Sequence, residues 1–134
     1  MDFKIDFLDH VAIRVKNIER SITWYENVLG LQKYTKPEWG EFPVFMLSGK
    51  TGIALFPAHL NDPKNPSESK NVKIDHFAFH VSNQDFKKAQ MKYDKLGIPY
   101  NFQDHVYFHS IYTQDPDGHT VELTTLVVEE SKFY

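Results

Sequence analysis

Cysteine is absent from the chain, and that one absence removes several function classes. There is no thiolate nucleophile, no disulfide framework and no cysteine-based zinc site, so any bound metal must be held by His, Asp and Glu. An excess of positive charge is also missing. The formal net charge is −3, and lysine and arginine form no run or stripe, so nucleic acid finds no electrostatic footprint. No apolar run approaches the length of a membrane span, and Met1-Asp2-Phe3-Lys4 has none of the features of a secretory signal. The expectation is a cytoplasmic protein that meets neither membrane nor nucleic acid. What the chain has in quantity is aromatic residues, 11 Phe, 7 Tyr and 2 Trp among 134. These suffice for the core of one domain of this length, which buries roughly two thirds of its unfolded surface.

An internal repeat decides the fold class. Asp9-His10-Val11-Ala12-Ile13-Arg14-Val15-Lys16-Asn17 recurs as Asp75-His76-Phe77-Ala78-Phe79-His80-Val81-Ser82-Asn83. Each copy alternates with period two and then passes into helical spacing. One apolar stripe is Ile18, Ile22, Tyr25 and Leu29; the other is Phe86, Ala89, Tyr93 and Leu96. Asn17 and Ser82 or Asn83 are natural N-caps, and Gly30 and Gly97 stop the helices. Strand-like segments follow, at Val44 to Leu47 and Gly52 to Phe56 in the first half. In the second they are Tyr100 to Gln103, Val106 to Tyr112, and Thr120 to Thr124. Each half therefore reads strand-helix-strand-strand-strand. The prediction is an α+β fold of two βαβββ modules in a single domain, their sheets pairing into a curled half-barrel around a metal. Module one covers about 5–57, a linker rich in Pro, Ser and Asn covers 58–72, and module two covers about 73–127.

Asp115-Pro116-Asp117-Gly118 is a turn signal between two alternating segments, so it predicts a hairpin with Glu122 in mid-strand. A carboxylate between Val121 and Leu123 requires a partner or a metal. Parity puts His10, Ala12 and Arg14 on one strand face, with His76, Ala78 and His80 on the matching face of the repeat. The apolar faces take the helices, and the histidine faces turn the other way together with Glu122. Two imidazoles and one carboxylate converging in this manner form a facial metal triad with open coordination positions. The competing reading makes His10 and His76 packed core histidines and pairs Glu122 with Arg14 or a lysine.

The paired Asp-His strands, the Trp24-Tyr25-Glu26-Asn27-Val28-Leu29-Gly30-Leu31 helix end and Asp115-Pro116-Asp117-Gly118-His119 followed by Glu122 resemble the vicinal oxygen chelate superfamily over residues 5–127. That group includes glyoxalase I, extradiol ring-cleaving dioxygenases, fosfomycin resistance enzymes and bleomycin-binding proteins. The resemblance implies a divalent metal on His10, His76 and Glu122, a small substrate chelated through vicinal oxygens, and a homodimer. Glyoxalase I usually adds a fourth ligand, a glutamate, where this chain has Ala54. The fosfomycin enzymes carry a basic residue about nine positions after the ligand glutamate, where Ser131 stands. Bleomycin-binding proteins lack the ligand set. The extradiol signature fits Ile111, Tyr112, Asp115, Pro116, Gly118 and Glu122, with His105 upstream, and fails at Gln103. The first expectation is therefore a dioxygenase-like enzyme with Fe(II), Mn(II), Zn(II) and Ni(II) being the alternative metals. A glyoxalase-type lyase or isomerase, a fosfomycin-type thiol transferase and a non-catalytic drug-sequestering protein are the alternatives in function.

Tyr112 is the candidate catalytic hydrogen-bond donor, against a core tyrosine. Arg14 and His80 are candidate substrate-binding residues, against a solvent-facing rim. His59 and His105 are unplaced acid–base candidates, His119 is expected on the surface, and His109 is unassigned. Trp39, Phe42 and Phe45 either wall the cavity or pack in the core.

Overall fold

The computed structural model describes residues 3–58 and 73–134. His59 and all but the first residue of the expected linker lie outside them. The chain divides into two compact units, Met1–Lys64 and Asn65–Tyr134. Each contains one copy of the repeat, and each is built in the same way.

In the first unit β1 (His10–Val15) leads into α1 (Ile18–Leu29), followed by β2 (Gln32–Tyr34), β3 (Val44–Ser48) and β4 (Thr51–Pro57). In the second, β5 (Phe77–His80) leads into α2 (Asn83–Leu96), then β6 (Asn101–Asp104), β7 (Phe108–Gln114) and β8 (Thr120–Leu126). The sheet orders are β1-β4-β3-β2 and β5-β8-β7-β6, with the first and last strands of each module parallel and the others antiparallel. The class is α+β, in two four-stranded mixed sheets. Among the described residues no helix is long and apolar enough to cross a membrane.

The helices start and stop where their caps dictate. The Asn17 side chain accepts from the Arg20 amide at 2.9 Å, and the Ser82 hydroxyl accepts from the Asp85 amide at 3.1 Å. Gly30 and Gly97 close them in the left-handed conformation. Each helix covers the apolar strand face that parity assigns to it. In the first unit Ile22, Tyr25 and Val28 are buried, as are Ile13, Val15, Met46, Ile53 and Leu55. In the second, Phe86 and Tyr93 are buried, as are Ile111, Val121 and Leu123. Four expected stripe members fall short, Ile18 and Ala89 being half-buried like Leu29. Val28 is buried where Leu29 is only half-buried, and Leu96 is exposed because it is the last residue before the chain turns away at Gly97.

Two strands differ from expectation. β2 has three exposed residues, Gln32, Lys33 and Tyr34, and no apolar alternation to announce it. β7 begins at Phe108 rather than Val106, because Val106 takes a left-handed backbone at φ 71°. Asp104 holds that bend by accepting the Val106 amide through its carboxylate, and the His105 amide donates to the Phe108 carbonyl.

Gly52 is required by close approach. It lies in register with His10 on one side and Leu47 on the other, and a Cβ there would run into the Met46 carbonyl oxygen. That atom is sheet backbone and cannot yield. Gly52→Ala is therefore expected to lower stability by about 3 kcal/mol or more, at the severe end of overpacking. Denaturant unfolding monitored by circular dichroism checks it; a loss under about 1 kcal/mol would show that the strand shifts freely.

Candidate metal centre

The hairpin turn sets the geometry of the second unit. Asp115 is buried, and its carboxylate accepts the amides of Asp117 and His119, each at 2.9 Å. The Asp115 amide donates to the His119 carbonyl, and the Gly118 amide returns to the Asp115 carbonyl at 3.0 Å. This fixes β7 against β8 so that Tyr112 stands opposite Glu122, and Glu122 in turn stands beside Ala78 of β5. Side chains directly across a sheet share a face. The face holding Glu122 is therefore the one reached by His76, two residues before Ala78.

There Glu122 meets His76, with Oε2 of the carboxylate 2.9 Å from Nε2 of the imidazole. The other carboxylate oxygen, Oε1, accepts the Ser110 hydroxyl at 2.5 Å. Glu122 is 5 % exposed, so this pair of partners is what makes its burial tolerable. On its far side the imidazole is held by Asp75, with Nδ1 and Oδ2 2.7 Å apart. That hydrogen bond, joined by the Glu122 charge, raises the His76 pKa above the ordinary histidine value. Asp75 is lowered, first by the same hydrogen bond and then by Lys73. The protonated ring donates Nδ1–H to Asp75 and Nε2–H to Glu122, whereas the neutral ring with its proton on Nδ1 leaves the Nε2 lone pair open to a cation. Two acceptors at 2.9 Å require a positive centre between or beside them, either a proton or a cation. Ligand atoms on adjacent octahedral positions at about 2.1 Å from an ion are themselves about 3 Å apart. His76 and Glu122 can thus supply two adjacent ligands to a divalent ion; among the described residues no group of three or more His, Asp or Glu is gathered closely enough to hold one.

The first unit repeats the arrangement at His10, whose Nδ1 lies 2.7 Å from Oδ1 of Asp9. A carboxylate on one imidazole nitrogen leaves the other free for a metal and fixes the ring, a usual outer-sphere device for metal-binding histidine. Sequence reading had the repeated Asp-His pair in view but assigned no role to Asp9 or Asp75. It also passed over Ser110, which shares the Tyr112 face of β7 and whose hydroxyl the register brings to Glu122. The register resolves Ala54 as well. Ala54 pairs with Ala12 as Glu122 pairs with Ala78, so alanine holds the place of the second module's carboxylate.

Tyr112 flanks the pair. Its ring stands edge-on to His76 with centroids 5.5 Å apart, and its hydroxyl lies 3.0 Å from Nε2 of His105. Burial, and then the Glu122 charge, push its phenol pKa upward, so it remains protonated and able to donate. Alongside runs a groove of about 430 Å³ whose lining includes Asn101, Gln103, His105, Tyr112, Gln114 and Thr120, with no lysine or arginine among the described residues. His80 is exposed at the end of β5, in register with Thr124. The Arg14 guanidinium lies over the Phe56 ring at 5.2 Å and donates to the Pro57 carbonyl at 3.2 Å. His109 belongs to the helix-facing side of regular β7, with its ring 5.1 Å from Phe102. His119 is half-buried behind the turn rather than on the surface.

Comparison with known proteins agrees with this architecture. The profile of the Glyoxalase/Bleomycin resistance protein/Dioxygenase superfamily matches residues 7–123. The chain is 27% identical over 116 residues to the glutathione transferase FosA of Serratia marcescens, covering 87% of this chain and 78% of the relative. It is 30% identical over 134 residues to a metallothiol transferase FosB of Staphylococcus epidermidis, covering 95% and 88%. A crystal structure of lactoylglutathione lyase from Agrobacterium tumefaciens superposes with a TM-score of 0.73 at 20% identity, covering 90% of this chain and 94% of that one. Since the family profile spans residues 7–123, the chain belongs to the glyoxalase/bleomycin resistance/dioxygenase superfamily, the vicinal oxygen chelate group.

Proposed function

We propose that this protein is a metal-dependent thiol transferase acting on a small electrophile chelated through adjacent oxygens. The observation that carries the reading is the Glu122–His76 contact at 2.9 Å, buttressed by Ser110 on one side and Asp75 on the other. The ligands would be His76, Glu122 and, from the first module, His10. When bound, the cation supplies Lewis acidity that draws charge from a substrate oxygen and weakens its bond to carbon. The thiol sulfur then forms a C–S bond as that C–O bond breaks, and the thiol proton ends on the released oxygen. Tyr112, kept protonated by burial, donates a hydrogen bond to oxygen beside the ligand pair. His105 accepts from or donates to the Tyr112 hydroxyl and fixes its direction. Arg14 and His80 complete the substrate-binding set in this reading, and the protein works as a homodimer through its sheet edges. Sedimentation showing only monomer at micromolar concentration would remove the dimer.

The similarity to FosA and FosB moves thiol transfer ahead of the ring-cleaving dioxygenase that the hairpin signature favours. The dioxygenase is kept as the second reading because His105, upstream in the partly matched hairpin signature, lies 3.0 Å from the Tyr112 hydroxyl. Incubating metal-loaded protein with fosfomycin and glutathione or L-cysteine, and separately with catechol under oxygen, separates the two. An adduct found by mass spectrometry supports transfer. Oxygen uptake with Fe(II) and catechol, without any adduct, reverses the order.

Asp75 gives an independent check. Asp75→Asn keeps the side chain's size but weakens its hold on Nδ1 of His76, and is expected to lower metal affinity about 10–100-fold. Competition against a fluorescent chelator reads this directly. Unchanged affinity would mean that Asp75 is a surface partner only.

A further inference from the structure

On the His10 face of the first sheet, the cross-strand row runs Tyr34, Phe45, Ala54, Ala12. The equivalent row of the second sheet runs Asn101, Tyr112, Glu122, Ala78. The repeat keeps alanine at Ala12 and Ala78 and a ring at Phe45 and Tyr112, but diverges from Tyr34 to Asn101 and from Ala54 to Glu122. The rings form a continuous series. His10 meets Phe45 edge-on at 5.0 Å, Phe45 lies 5.2 Å from Trp39, and Trp39 lies 6.1 Å from Tyr34. The first contact crosses an intervening strand. It is possible because β4 there presents Gly52 and Ala54, which carry no more than a methyl. Trp39 and Tyr34 are 38% and 43% exposed, so they are not core residues. Large rings left in water beside a candidate metal ligand are surface that a bound molecule can cover.

We propose that this row is an arene subsite, taking the aromatic group of the molecule whose oxygens are chelated at the His10 end. The inference rests on the metal reading above and adds the substrate class: an aryl-bearing oxygen chelator. Charge narrows it further. Lys36 sits with its ammonium 5.2 Å over the Tyr34 ring, at the outer end of the row. A cationic group there would be repelled, so the arene is neutral or anionic.

Two probes with the same chelating oxygens, benzohydroxamate and acetohydroxamate, isolate the ring. Calorimetry on the Mn(II)-loaded full chain is expected to give benzohydroxamate about tenfold tighter binding or more. Benzohydroxamate should also quench Trp39 fluorescence in a Trp24→Phe background. In Trp39→Leu, and independently in Tyr34→Ser, the ratio of the two affinities is expected to fall to within about twofold. A ratio near one in the wild type, or a ratio that survives both substitutions, overturns the subsite while leaving the metal site standing. If neither hydroxamate binds the loaded protein, the metal reading fails and the subsite fails with it.

Discussion

Glu122→Ala and His76→Ala are each expected to lower divalent-metal affinity by at least about 100-fold, beyond what loss of an outer-sphere partner costs. Thiol transfer should disappear in step. The carboxylate is buried, with one oxygen on Ser110 and the other at His76, so both of its oxygens are held in place. Its removal also leaves the Ser110 hydroxyl without its shortest partner. For that reason Glu122→Gln is the cleaner test, since it preserves volume and can still accept from Ser110 while deleting the charge. Equilibrium dialysis of all three variants measures the effect. Wild-type affinity in every one would remove the His76–Glu122 pair from metal binding altogether.

The second large effect is expected at Ala54. A glyoxalase-type isomerisation needs a base, and general-base catalysis contributes about 10²–10⁴-fold. The register that equates Ala54 with Glu122 leaves a methyl where a fourth carboxylate would stand. Turnover of the glutathione–methylglyoxal hemithioacetal is therefore expected to be at least about 100-fold slower than thiol transfer. Ala54→Glu is not expected to restore it. Ala54 is 1% exposed and has Phe45 beside it in register, so an added carboxylate meets packed side chains. Robust hemithioacetal turnover by the wild type, lost in Glu122→Ala, would mean that another residue supplies the base and would put the isomerase first.

Much of this was legible because the chain states its plan twice. The Asp-His repeat fixed two modules, and period-two parity placed Ile13 and Val15 against the helix and His10 away from it. Asp115-Pro116-Asp117-Gly118 announced the hairpin that sets Glu122 opposite Tyr112. What escaped reading lacked a local signal. The bend at Val106 has no glycine or proline; it is held by the Asp104 carboxylate and so depends on a three-dimensional contact. β2 is a polar edge strand whose pairing with β3 comes from the sheet rather than from its own residues. Ser110 is a small side chain in a strand, and only the register reveals that its hydroxyl faces Glu122. The order of the functional readings changed for a different reason. The hairpin signature is largely the shared turn of the fold, and a fold hosts several chemistries.

The central claim is that His10, His76 and Glu122 bind one divalent ion together. Electron spin echo spectroscopy of the Mn(II)-loaded protein, with histidine labelled by ¹⁵N, tests it most directly. Two directly bound imidazole nitrogens are expected, falling to one in His10→Ala and to one in His76→Ala. A spectrum with no histidine nitrogen on the metal, or one unchanged by both substitutions, would contradict the account.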